Sequence, residues 1–460
     1  MSIYMLPEDV LLEVFDFFAE IDEAIEAWQT LVHVCRRWRS IVFGSPRRLN
    51  LRLLCSNKTP ARDMLDVWPA LPLFIECNET AESVDNIVAV LERRDRVRYI
   101  GLTWIKSSDF GKISAAMQVP FPELTHLHLF LIDEIDKTMS VLPDSFLGGS
   151  APRLEDLWLD GIPLPGLPKL LLSVTHLVTL HLRSIPHSGY FSPGAIVTTL
   201  STLTRLESLR LLFASPQSRP DPARRRPPPP TRSVLPTLTH FRFKGVSEYL
   251  EAIVARIDAP RLNSLYMTLF NDIVFDTPHF NRFISCTPTL MALEEARVMF
   301  KNGAATVEVS SRTSGKYDSE EVELGVTVLC KEMDWQVSSM EQVCTSCLPP
   351  LPALENLYIY ENTLRQHWQD NTENALWLEL LHPFTSVRNL YLSEHIAQRI
   401  VPALQDLVGS RATEVLPTLQ NIFLEGQPSG PVQEGIQHVV TVRQATGHPI
   451  TVSYGQEVRY

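Results

Sequence analysis

Few residues of this chain stand at spacings that suit chemistry. Cys344-Thr-Ser-Cys347 has the spacing of a metal or dithiol pair, but no second pair or neighbouring His accompanies it. Reduced, packed thiols are the expected state of such a lone motif. His126 and His128 are one residue apart, which on a strand puts both imidazoles on one face. Without Cys or acidic partners at ligand spacing they make no metal set. Glu155, Asp156 and Asp160 crowd together without defining an acid and a base across a reacting atom. There is no His-Glu-x-x-His helix, glycine-rich dinucleotide turn, phosphate loop, Gly-x-Ser-x-Gly elbow or calcium loop. Nucleophile, base and oxyanion donor never converge. The expectation is a non-catalytic protein with no metal and no cofactor.

Recognition remains, and it depends on the elements that present side chains. A pattern Leu-x-x-Leu-x-Leu recurs at Leu124/Leu127/Leu129, Leu154/Leu157/Leu159, Leu177/Leu180/Leu182 and Leu206/Leu209/Leu211. It continues at Leu238/Phe241/Phe243, Leu262/Leu265/Met267, Leu354/Leu357/Ile359, Val387/Leu390/Leu392 and Leu419/Ile422/Leu424. An earlier copy stands at Val97/Ile100/Leu102, and a degraded one begins at Leu290/Leu293. Neighbouring copies lie roughly 23 to 33 residues apart, the span of one strand and one return segment. The final Leu-x-Leu alternates with period two, so it predicts a strand whose leucines enter the core. One such unit cannot bury its apolar face, and stacked copies supply the missing core.

At the N-terminus a different period appears. Pro7 suits the first turn of a helix, where its missing amide hydrogen is not needed, and Glu8 and Asp9 favour the positive helix end. Leu11, Val14, Phe15 and Phe18 recur at three and four residues, one apolar stripe. Leu31, Val34, Cys35, Trp38, Ile41 and Val42 make a second stripe beside Arg36, Arg37 and Arg39, and Gly44-Ser45-Pro46 stops it. Helices this short need each other, the following chain or a partner.

Leu6-Pro7-x-Asp9-Val10-Leu11-x-x-Val14-Phe15 followed by Leu31-x-x-Val34-Cys35-Arg36-x-Trp38-Arg39 resembles an F-box over residues 3–48. With the repeats, the whole chain resembles the F-box/leucine-rich-repeat family, in its fungal form. The resemblance implies docking on a Skp-family adaptor and, through it, on a cullin scaffold in an SCF-type ubiquitin ligase. Carried over by position, Leu6, Pro7, Val10, Leu11, Val14, Phe15, Val34, Cys35 and Trp38 would dock the adaptor or form the module. The acidic segment 20–30 is longer than in many members of that family. A stand-alone interaction scaffold is the alternative reading.

The predicted architecture is α/β. F-box helices (1–48) and a connecting, capping segment (49–95) precede an irregular leucine-rich-repeat solenoid (96–460) with a parallel concave sheet. Insertions are expected near 215–233 and 302–340. The first holds Arg224-Arg225-Arg226 and Pro227 to Pro230, where Arg224, Pro227 and Pro230 have the spacing of an SH3-type ligand. In the second, Val322, Leu324, Val326 and Val328 alternate as a strand would, in a hairpin insertion or distorted repeats. A doubly wound sheet is the weaker rival, since no phosphate-binding glycine turn follows a strand.

Residues between the inward leucines should line the concave face: His128, Trp158, His181, Arg210, Arg242, Tyr266, Glu294, Tyr358, Tyr391 and Phe423. Flanking Arg183 and Lys244 make its middle basic, and Tyr360 adds to an aromatic C-terminal stretch. Arg and aromatic residues are favoured at interfaces. A protein client is therefore expected, and a basic centre suits an acidic or phosphorylated one. A net charge of -12 argues against general nucleic-acid binding, which needs a basic footprint. No apolar run spans a membrane and the first residues form no secretory signal. With its seven scattered cysteines, the chain is expected to be soluble, in the cytoplasm, the nucleus or both.

Overall fold

The computed structural model describes residues 6–21, 27–46, 48–55, 65–78, 84–132, 141–221, 231–270, 275–311, 323–361, 373–407, 409–427 and 430–455. Two units divide the chain, Met1–Phe191 and Ser192–Tyr460.

The first unit begins with helices α1 (Glu8–Ile21), α2 (Ala27–Val34) and α3 (Arg36–Gly44). Strands follow: β1 (Leu53–Cys55), β2 (Leu73–Cys77), β3 (Val97–Ile105), β4 (His126–Leu131), β5 (Asp156–Asp160) and β6 (Thr179–Ile185). They pair in chain order and in parallel. Cys55, Ile75, Ile100, Leu127, Leu157 and Leu180 therefore lie side by side, and Cys77, Leu102, Leu129, Leu159 and Leu182 form the next row. All are buried, each large aliphatic chain contributing roughly 1.5–3 kcal/mol relative to exposure. One backbone device repeats between motifs. The Thr125 carbonyl accepts from the Glu155 and Asp156 amides, and the Glu155 carbonyl from those of Val178 and Thr179.

The second unit contains β7 (Ser208–Phe213), β8 (Ser233–Val234), β9 (His240–Gly245), β10 (Ile257–Asp258), β11 (Ser264–Phe270) and β12 (Glu295–Lys301). After these come β13 (Ala304–Ser310), β14 (Leu324–Leu329), β15 (Asn356–Glu361), β16 (Asn389–Leu392), β17 (Asn421–Leu424) and β18 (Thr451–Tyr454). The sheet order is β7-β9-β11-β14-β13-β12-β15-β16-β17-β18, and β8 pairs separately with β10. Among the described strands β13 alone runs antiparallel to its neighbours, β12 and β14. Region 302–340 thus inserts β13 and β14 between β11 and β12, then returns through the helix Met333–Gln342. Val322 itself, segment 22–26 of the acidic stretch, and Arg224, Pro227 and Pro230 lie outside the described residues.

The repeat at Leu290/Leu293 has a different register from the one expected. The Glu294 carbonyl accepts from the Glu355 and Asn356 amides as the Glu355 carbonyl accepts from Arg388 and Asn389. Glu294 is therefore equivalent to Glu355, and the motif is Leu293-x-x-Ala296-x-Val298. Arg297, in register with Tyr358, takes the outward position expected of Glu294. A buried Ala in the second leucine position hid this register.

Among the described residues no helix is long and apolar enough to cross a membrane.

Candidate functional site

In the N-terminal module, α1 carries two apolar stripes. Leu11 and Phe15 are fully buried, and Phe15 packs on Trp38 with ring centroids 4.8 Å apart. Val10, Val14 and Phe17, spaced four and three residues apart, are 40%, 42% and 64% exposed. Helical periodicity puts these three on one face. Pro7 is exposed and Leu6 half-buried. Arg37 Nη2 donates to the Leu6 carbonyl at 2.6 Å, tying the start of α1 to the α2–α3 junction, where Val34 is 52% exposed. Cys35 separates those helices and caps α3, its Sγ accepting from the Trp38 amide at 3.5 Å. Phe17 belongs to the second stripe of α1, which the Leu11, Val14, Phe15 and Phe18 spacing does not reveal.

The module is joined to the strands by an aromatic cluster outside the motif. Trp28 is buried, donates Nε1–H to the Arg52 carbonyl at 3.0 Å, and meets Trp68 edge-on at 5.2 Å. His33 and Phe43 also pack against Trp68. From the strand side of the joint, Arg48 grips α1 through Glu13 and Asp16.

On the outward face of the first unit, Gly101, His128, Trp158 and His181 share one row. Rings pack edge to face along it, His128 to Trp158 at 5.4 Å and Trp158 to His181 at 5.1 Å. A Cβ on Gly101 would lie 2.6 Å from the Tyr99 hydroxyl, so Tyr99 lies over the missing side chain and reaches His128 at 5.6 Å. His181, expected at the surface, is buried by this packing. Of the carboxylates nearby, Asp160 lies 3.5 Å from Arg183 Nε, while Asp156 Oδ1 lies 3.4 Å from His128 Nε2 without a hydrogen bond between them. Arg183 is thus a paired cation. No group of three or more metal-binding side chains occurs among the described residues.

The equivalent row in the second unit runs Arg210, Arg242, Tyr266, Gly325, Glu308, Arg297, Tyr358, Tyr391, Phe423. Arg242 lies over the Tyr266 ring at 4.9 Å and Lys244 over Phe270 at 5.7 Å. Tyr266 itself lies across Gly325, where a Cβ would come within 2.5 Å of Cδ2, and its hydroxyl meets Thr327 Oγ1 at 2.9 Å. An isolated Gly in an alternating strand is the sequence signal for such a close approach. Burial raises the Glu308 carboxyl above its ordinary range, against the opposing pull of Lys301 and Arg297. Arg297 pairs with Glu295 at 3.7 Å.

Tyr358, Tyr391 and Phe423 form a stack, with centroid separations of 4.2 and 4.4 Å and planes within 11° and 9°. Burial, with Glu295 second, pushes the Tyr358 phenol above its ordinary range. Beside the stack, Asn389 donates to Asn356 and Asn421 to Asn389, both at 2.8 Å, which holds the strands in register. Tyr360 and its register partner Met299 are buried, so that end of the strand pair is closed rather than open surface.

The cysteine pair is inert. Cys344 and Cys347 are buried in one turn, burial pushes the Cys347 thiol up to about 12, and Cys344 is raised further. A reactive thiol needs the opposite shift.

Residues 3–50 match the F-box domain family. The solved leucine-rich repeat-containing protein LegL7 from Legionella pneumophila is similar at 12% identity over 84% of this chain and 97% of that one, with a TM-score of 0.25. A superposition that loose carries no argument, and the repeat architecture stands on the register above. No curated protein matches the chain. Over residues 3–50 the chain is similar to the F-box domain, and the described strands that follow stack leucine motifs one on the next.

Proposed function

We propose that the chain is the substrate-recruiting subunit of a cullin-based SCF-type ubiquitin ligase, acting in the cytoplasm or nucleus. Its F-box would dock a Skp-family adaptor through Val10, Val14, Phe17 and Val34, with Leu6 and Pro7 at the edge. Leu11, Phe15, Cys35 and Trp38 would hold the module together. The carrying observation is the exposed stripe of α1 inside a segment that matches the F-box. Large apolar side chains aligned on one exposed helix face need a cover, and a partner surface supplies one. The outward face of the repeats would select the client, and the chain would contribute proximity rather than bond chemistry.

The test is co-purification of the intact chain with the adaptor, alongside a variant carrying Leu6→Asp and Val10→Asp. Adaptor capture by the parent and its loss in the folded variant are expected. A folded parent that captures no adaptor would overturn the ligase reading in favour of a stand-alone scaffold.

A further inference from the structure

We infer that the outward face of the second unit takes an extended client segment in two places at once: Asp or Glu carboxylates on Arg242 and Lys244, and an aromatic side chain across the Tyr358-Tyr391-Phe423 stack. This rests on the reading of that face as the client surface and names the client chemistry.

Charge argues for the first contact. Arg242 and Lys244 are half-buried, each held over a ring, and no carboxylate forms an ion pair with either among the described residues. On β12 the charge is compensated, Arg297 lying beside Glu295 with Glu308 in register across the strand pair. Among the described residues β9 thus places two outward cations side by side, neither with an ion-pair partner. A cation already seated on a ring loses little freedom on meeting an anion, and the pair is charge-assisted.

Ring geometry argues for the second. The three rings stack face on face and each stays half-buried, so part of every ring is open on the outward side. Ring C–H groups and phenol O–H hydrogens carry the positive part of these side chains, so a fourth ring lying across the stack meets them with its negative face. An aliphatic side chain would gain the area without that attraction.

The distance between the contacts follows from the strand order. β9 and β15 are five strand steps apart and β9 and β17 seven, about 24 to 34 Å at roughly 4.8 Å per step. An extended chain at about 3.3 Å per residue covers that in about seven to ten residues. Between the contacts lie the Tyr266 ring, which fills the space over Gly325, and the Arg297–Glu295 pair of β12, so the middle of the client needs neither charge nor bulk.

The probe is a fluorescent peptide with an aspartate cluster, a Gly/Ser spacer lengthened stepwise, and one Trp, titrated against the full chain by anisotropy. Binding should be tightest with about seven to ten residues between the contacts. Combined Arg242→Glu and Lys244→Glu should weaken it by about tenfold or more, and the milder Arg242→Gln with Lys244→Gln should weaken it less. Phe423→Ala should lower affinity for the Trp peptide but leave that of a Trp-free peptide unchanged. A flat spacer series, or affinity indifferent to the charge variants in folded protein, overturns the inference. So does a peptide that binds only when phosphoserine replaces aspartate. Adaptor capture is scored on the same preparation: its loss with peptide binding intact counts against the ligase role alone, and the converse against this inference alone.

Discussion

Phe15 and Phe17 stand two residues apart on one helix and should fail in opposite ways when truncated. Phe15 is fully buried against Trp38 at 4.8 Å, so Phe15→Ala opens a cavity costing about 3–5 kcal/mol, enough to unfold a small helical module. Phe17 is 64% exposed, about 130 Å² of ring and stem for a residue of roughly 200 Å². Covered by an adaptor, that area is worth about 3 kcal/mol at ~25 cal/mol/Å², close to a hundredfold in affinity. Phe17→Ala should therefore leave the urea midpoint of the free chain within error of the parent while weakening adaptor binding by one to two orders of magnitude. Phe15→Ala should lower the midpoint, and its binding loss should track unfolding. Calorimetric titration with the adaptor and urea denaturation followed by tryptophan fluorescence measure the two quantities. Parent-like affinity for Phe17→Ala would refute the assignment of the exposed stripe to docking. A midpoint depressed as far as that of Phe15→Ala would show that the ring supports the fold.

Gly325→Ala would place a methyl 2.5 Å from Tyr266 Cδ2, so the ring must leave and its 2.9 Å bond to Thr327 is lost. A stability loss of about 1–3 kcal/mol is expected, and in a Tyr266→Ala background the same change should cost much less; equal costs in both backgrounds would show that the ring is not what fills the space. Glu308 gives a pH signature. Its folded pKa lies above the ordinary carboxylate value because of burial, so the folded chain holds the proton more tightly and stability falls as pH rises from the ordinary value through the raised one. Glu308→Gln should match the parent at the acid end of that window and exceed it at neutral pH, as read from urea midpoints. A variant with the parent's slope would place the titration elsewhere.

The inward residues were legible because strand alternation is a two-state code. Leu127, Leu157 and Leu180, or Leu357, Leu390 and Ile422, fall where the motif puts them. Where an inward residue is small the code loses its mark: around Ala296 the leucine spacing points to Glu294 as the outward residue, whereas the strand register puts Arg297 there, three residues on. Of the inserted strands only β14 is legible as a pattern, through Leu324, Val326 and Val328; the sheet order is not, because pairing β14 with β11 and β12 with β15 is a tertiary choice among strands of similar apolarity. On α1 the difficulty was different: helical spacing identifies stripes, while only packing decides that Phe15 turns in and Phe17 out.

Outward positions obey a weaker rule, and two glycines show why. A list of one projecting side chain per strand treats Tyr99 and Tyr266 as neighbours of empty positions at Gly101 and Gly325. Both rings instead lie over those glycines, Tyr99 along its own strand and Tyr266 across to the next. A ring placed there fills the vacancy and covers the buried glycine. The outward face is consequently smoother at those two positions than its sequence suggests, while the cations of β9 and the stacked rings of β15 to β17 stay half-buried on it. Recognition on such a face is set as much by which side chains lie down as by which stand up, and a single glycine substitution can alter it without touching a residue that meets the client.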